Sequence, residues 1–222
     1  MPIPTPEEIA EVDQIVSVLP AVIREEMDFD VQELRNSVEN RIPSFTPEQL
    51  HVFQTVLNAV RDESPLQAFI DARGGCGKTY ILNATLAAVR TQEPGGCTAL
   101  AMATTGIAAN LLSLGRTFHS RMKAPLTVAE DSTLTISGQS NLAKLIRISK
   151  LLLIDEATML DHYMLEALDR TLRDLMRKPD KPFGDKIFIL AGDFYQFPQV
   201  LQEQELPHTA STNHHCGPVF KF

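Results

Sequence analysis

Tryptophan is absent from this chain of 222 residues, and cysteine and tyrosine occur three times each. An odd, small number of cysteines excludes a disulfide framework and fits a reducing compartment. No run of 18 apolar residues occurs, so no membrane-spanning helix is expected. The opening residues, MPIPTPEEIAEVD, carry neither the basic nor the apolar segment of a secretory signal. The expectation is an intracellular protein without a membrane partner, nuclear rather than mitochondrial in a eukaryote. What is present suits one large domain: 44% hydrophobic and 22% charged residues, enough to bury a full core. The net charge of −8, taken at face value, counts against a nucleic-acid partner.

The charge is unevenly spread. Residues 1–44 hold ten acids and three bases, leaving 18 acids and 17 bases in the other 178 residues. The leading stretch therefore reads as an acidic helical arm (1–44). Thr5-Pro6-Glu7-Glu8 is a capping-box start, continued by Ile9, Val12, Val16 and Leu19 at helical spacing. Asp30 with Glu33 repeats the signal before Val31, Leu34 and Val38. These are expected to be amphipathic helices packed on a neighbour.

From Phe45 the pattern alternates. Thr46-Pro47-Glu48-Gln49 opens a helix with Leu50, Phe53, Leu57 and Val60 on its apolar face. Strands are expected at 66–71, 98–103, 150–154 and 187–191, and helices from Lys78 to Arg90 and from Asp161 to Met176. Short apolar strands separated by helices predict a parallel α/β sheet covered on both faces. Residues 127–140 read as a polar surface loop, 45–200 as the domain and 201–222 as an irregular tail.

The strongest local signal is Ala72-Arg73-Gly74-Gly75-Cys76-Gly77-Lys78-Thr79. A strand, a glycine-rich turn and a helix start let successive backbone N–H groups cradle phosphates. Lys78 reaches the β and γ phosphates, and the Thr79 hydroxyl ligates Mg²⁺. Ala72 departs from the strict pattern, which has glycine there. The nucleotide-binding set runs from Gly74, Gly75, Cys76 and Gly77 through Lys78, Thr79 and Tyr80. A third apolar strand ends in Asp155-Glu156: Asp155 suits hydrated Mg²⁺, and Glu156 suits deprotonation of an attacking water. Beyond the fourth strand, Gln196 is positioned to sense the γ-phosphate.

Five motifs then occur in order: the P-loop, Thr104 to Ala109 (TTGIAA), Gly115 to Ser120 (GRTFHS), Ile154-Asp155-Glu156-Ala157, and Gly192 to Gln196 (GDFYQ). Together they resemble the first motor domain of the Pif-type (petite-integration-frequency) DNA helicases, related to RecD. The stretch from Ile154 through Leu175 is similar to the branch carried by Helitron transposons. The resemblance implies a RecA-like P-loop fold, ATP and Mg²⁺ as cofactors, and 5′-to-3′ translocation on single-stranded DNA. It implies roles in repair, recombination, telomere maintenance or transposition. It also implies adenine recognition by Gln49, catalytic roles for Lys78, Glu156 and Gln196, and metal binding by Thr79 and Asp155.

The family's single-strand contacts match Thr104, Thr105, Gly106, Thr117, Phe118, His119 and Ser120, and Arg116 beside them is expected to join the DNA contact. Hydroxyls and amides there hold phosphates, while Phe118 and His119 offer rings to bases. Residues 116–150 hold six bases and two acids, expected to form the DNA surface. Arg170, Arg173, Arg177, Lys178, Lys181 and Lys186 read instead as a solvated helix face. His208, His214, His215 and Cys216 lack the spacing of a zinc site. From Leu201 onward no match to the family's continuation is expected, and the second motor domain, with its arginine finger, is expected in cis in the full-length protein. The rival readings are a P-loop phosphotransferase and a catalytically weak transposon remnant that binds ATP and DNA.

Overall fold

The computed structural model describes residues 20–92, 98–194 and the backbone of 219–221. Elements follow in the order α1 (Ala21–Met27), α2 (Val31–Arg41), α3 (Pro47–Arg61), β1 (Gln67–Asp71) and α4 (Lys78–Arg90). Next come β2 (Ala99–Ala103), α5 (Gly106–Leu111), β3 (Arg116–Thr117), α6 (Phe118–Met122) and α7 (Asn141–Ile148). The described order ends with β4 (Leu151–Asp155), α8 (His162–Met176), β5 (Ile187–Gly192) and β6 (Val219–Lys221).

The strands form one sheet in the order β3-β2-β4-β5-β1-β6. The first five run parallel, and β6 closes the β1 edge antiparallel. That strand lies within what reads from sequence as an irregular tail. Alternate residues on each strand face opposite sides, which divides the interior cleanly. Ala99, Ala101, Ala103, Leu151, Leu153, Ile187 and Ile189 point to one layer, filled by α3, α4 and residues of α2 and α5. Leu100, Met102, Leu152, Ile154 and Phe188 point to the other, filled by α1, α6, α7 and α8. All four residues from Leu151 to Ile154 are at most 1% exposed, and burying each stabilises the fold by about 1.5–3 kcal/mol.

Local signals decide where helices begin. Thr46 and Gln49 form the expected capping box, with Pro47 in the first turn of α3. Asp30 accepts from the amides of Gln32 and Glu33 to start α2, and Asp161 accepts from Tyr163 N to start α8. The buried face of α3 is Val52, Phe53, Val56, Ala59 and Val60, whereas Leu50 and Leu57 are only half-buried. The buried stripe shares only Phe53 and Val60 with the expected one.

The arm is part of the domain from Ala21 onward. Val38 of α2 belongs to the first core layer and Ile23 of α1 to the second. Helix α1 was not expected, and the helix beginning at Thr5 falls outside the described residues. The 127–140 segment is not purely a surface loop: Leu134 is buried, and its amide donates to Thr171 Oγ1 at 2.9 Å.

Candidate nucleotide and nucleic-acid site

Because β1, β2, β4 and β5 are parallel and in register, their C-terminal ends meet at one edge. Asp71 lies opposite Gly192, and Ala103 opposite Asp155. Everything that follows these strands therefore faces one crevice.

The P-loop needs glycine at two positions. Gly75 and Gly77 have φ of 81° and 77°, a left-handed region that costs other residues energy. A Cβ on Gly77 would also lie 2.8 Å from Gln49 Nε2. Ala72 needs no such freedom: it is buried and extends the β1 ladder, its amide donating to Gly192 O at 3.0 Å. That accounts for the departure from the strict motif. Cys76 is half-buried, and its carbonyl accepts from Gln49 Nε2 at 3.1 Å. Gln49 Oε1 in turn accepts from Thr46 N at 3.1 Å. One amide hydrogen and one lone pair of Gln49 are thus committed to the loop and the helix cap.

Lys78 lies between the two acids at the end of β4. Its ammonium donates to Asp155 at 2.9 Å and to Glu156 at 2.8 Å. Burial pushes the Lys78 ammonium down, but the hydrogen bonds and charges of Glu156 and Asp155 outweigh that and hold it above its ordinary 10.5. Glu156 has φ of 52°, a strained conformation for a non-glycine residue. This turn sends both carboxylates to the same ammonium, and the Glu156 amide donates to Asp155 Oδ1 at 2.8 Å. Sequence reasoning missed Asp193, which is 4% exposed and accepts from Gly74 N at 2.9 Å. Its position directly after a strand, inside a quoted motif, was the available signal. Gln196 lies outside the described residues, as do His208, His214, His215 and Cys216.

Tyr80, exposed on the first turn of α4, meets the end of the arm. Its hydroxyl shares a hydrogen bond of 2.9 Å with Ser44 Oγ, and the Arg41 guanidinium lies 5.2 Å from its ring centre.

The expected DNA-contact residues do not share one setting. Thr104, Thr105 and His119 line one groove of about 420 Å³ with Leu126, Met159 and Asp161. Leu126 and Met159 are 91% and 68% exposed and were not anticipated. Gly106 borders open space, and Ser120 is exposed. Thr105 and Thr117 cap α5 and α6 through their hydroxyls. Phe118, by contrast, is fully buried in the second core layer. It is unavailable to bases because its ring fills the space beneath α6.

The basic surface expected over 116–150 is likewise divided. Arg116 pairs with Glu25 at 2.6 Å, and Arg121 is buried against Glu26. Lys150 precedes β4, at the opposite edge of the sheet, and pairs with Glu63. Arg147 donates to the carbonyls of Leu175 and Gly138. In the second basic cluster Arg170 and Arg173 engage Glu166 and Asp169 along α8, and Lys178 engages Asp185 beyond it. Lys186 departs from the expected solvated face: it is buried before β5 and donates to the carbonyls of Arg147 and Ser149.

A family model described as PIF1-like helicase matches residues 44–216. The chain belongs to the PIF1-like helicase family. The match reaches past Val200, so the family pattern continues into the stretch from Leu201 where none was expected. ATP-dependent DNA helicase Pif1 of Psychrobacter sp. is 35% identical over 136 residues, 60% of this chain and 20% of that protein. ATP-dependent DNA helicase RRM3 of Saccharomyces cerevisiae is 32% identical over 139 residues, 62% of this chain and 19% of the other. Among solved structures, a Bacteroides Pif1 helicase in complex with ADP-AlF3 and ssDNA is 30% identical with a TM-score of 0.54. That alignment covers 69% of this chain and 34% of the Bacteroides chain. The chain thus spans about a fifth of these curated PIF1-like relatives. Most of the arm precedes the matched region.

Proposed function

We propose that this chain is the first motor domain of an ATP-dependent DNA helicase, binding Mg-ATP in the crevice and single-stranded DNA across the adjoining groove. The observation that carries this reading is the Lys78–Asp155–Glu156 cluster at the mouth of the P-loop. An ammonium held by two carboxylates is poised to exchange one of them for phosphate oxygens. Asp155 and Thr79 supply hard oxygen donors of the kind magnesium takes, and the Asp155 side chain is only 3% exposed, so a cation there is needed for its charge. Bound magnesium would neutralise charge on the phosphates.

In the proposed reaction Lys78 turns to the β and γ phosphates and releases Glu156. Glu156 then orients a water and takes its proton as the water oxygen bonds to the γ-phosphorus. The bond from that phosphorus to the β–γ bridging oxygen breaks, leaving ADP and phosphate. Gln49 reads the adenine edge, and Gln196 contacts the γ-phosphate. In related NTPases an arginine finger contributes on the order of 10³–10⁵ in rate. The finger is expected from a second motor domain, so this chain alone should bind nucleotide, hydrolyse it slowly and unwind nothing. The direction of travel, by resemblance, is 5′ to 3′.

Titration with a fluorescent ATP analogue and magnesium tests the reading, with Lys78→Ala as the comparison. Loss of binding in the variant supports it. Equal affinity in both proteins overturns it.

A further inference from the structure

Two adjacent acids on α1 meet two arginines that flank the expected DNA-contact turn. Glu26 and Arg121 are 2% and 4% exposed and ion-paired. Arg121 also donates to Leu114 O at 2.7 Å. From the far side Arg90, fully buried at the end of α4, donates to Ser113 Oγ and Ser113 O, each at 3.0 Å. The loop that delivers β3 is therefore hung between two buried guanidinium groups, and the charge of Glu26 acts on both. A buried cation that loses its counterion is strongly destabilising, so α1 cannot leave this position cheaply.

Glu25 is in a different situation. Its pair with Arg116 is about half exposed on both sides, 56% and 46%. Pairs of this kind are weak and exchange readily. Arg116 stands on β3, immediately before Thr117 and His119, and a guanidinium that accepts a carboxylate accepts a phosphodiester by the same donors.

We infer that Glu25 occupies the phosphate position at Arg116, so that single-stranded DNA must displace an intramolecular carboxylate before that contact forms. Glu26 is the fixed anchor, and Glu25 is the exchangeable screen. The acidic arm thereby sets the DNA affinity of the motor without leaving it. This rests on the proposed reading of residues 104–120 as the DNA contact. It goes beyond that reading because Glu25 lies outside the region matched by the family.

The experiment is a double-mutant cycle on the full chain, read by fluorescence anisotropy with labelled oligo-dT at low salt. Glu25→Gln should tighten binding about two- to fivefold, the range an exposed pair supports. It should also steepen the dependence of log affinity on log salt. Arg116→Gln should weaken binding, and the double variant should match Arg116→Gln alone. Thermal melting of Glu25→Gln should be unchanged, which separates the screen from the anchor. No gain from Glu25→Gln overturns the inference. So does an equal gain in the Arg116→Gln background, which would be a general charge effect. If none of the four proteins binds oligo-dT, the DNA reading itself falls, and the inference with it.

Discussion

The hydroxyl of Thr104 donates to the backbone carbonyl of Glu156 at 3.0 Å. One side of this bond lines the groove expected to hold DNA, and the other is the backbone of the residue whose carboxylate is expected to activate water. The Thr104 amide also donates to Asp155 O at 3.2 Å, continuing the β2–β4 ladder. The proposed nucleotide and DNA sites would thus share a wall one residue thick. Thr104→Val removes the hydroxyl and keeps the shape. Oligo-dT should then shift ATP affinity less than in the wild type, and ATP should shift oligo-dT affinity less by the same factor. Titrations of each ligand with and without the other check this; an unchanged coupling factor refutes it.

Lys78 governs an alkaline limit. Its folded-state value is raised above the ordinary 10.5, so its contribution to stability is complete below that pH. The contribution is lost as pH rises further, through the folded value. Urea melts should therefore show no loss from this cluster between pH 7 and pH 9, and a loss above about 10.5 that Lys78→Met abolishes. At neutral pH Lys78→Met should itself be destabilised, because Asp155 is left buried without its cation.

Glu26 should matter more to folding than any other acid described between residues 20 and 44. Burial pushes Arg90 down to about 10, with the Glu26 charge opposing it. Glu26→Gln should cost about 3–5 kcal/mol in urea denaturation, the range for breaking a buried pair. Removal of residues 1–44 should therefore destabilise the domain as well as expose Arg116.

Phe118 and His119 are neighbours with opposite assignments. Phe118→Ala should lose about 3–5 kcal/mol of stability, because the ring is fully buried. His119→Ala should leave melting unchanged and weaken oligo-dT binding, since the imidazole lines the open groove. If His119→Ala binds oligo-dT as well as the wild type, His119 has no part in the DNA contact.

The sheet and its nucleotide edge were legible because their causes are local. A short apolar run such as Leu151–Ile154 suits an interior strand, and Thr46 with Gln49 announces a helix start within four residues. The P-loop, Asp155 and Glu156 follow from the same logic. Contacts spanning the chain were not legible. Glu25 and Glu26 look like solvated helix acids until the fold brings Arg116 and Arg121, 91 and 95 residues later, against them. Phe118 failed for a related reason: a phenyl ring beside a histidine suits stacking and packing equally in sequence, and only the filled layer beneath α6 decides. Lys150 and Arg116 read as one basic patch because they are close in sequence, yet β4 and β3 place them at opposite edges.

Helix α4 carries Lys78 as its first residue and Arg90 as its last, 13 residues in all. At about 1.5 Å per residue it is a rod about 20 Å long. Its first turn is pinned by phosphate-seeking glycines, while its last turn grips the loop before β3 through Arg90. Pivoting such a rod by about 3° at the nucleotide end moves its far end by about 1 Å. That is enough to lengthen a hydrogen bond past its useful range. In the proposed motor this helix would act as a lever, running along the sheet from the seat of the fuel to the suspension of the loop before β3.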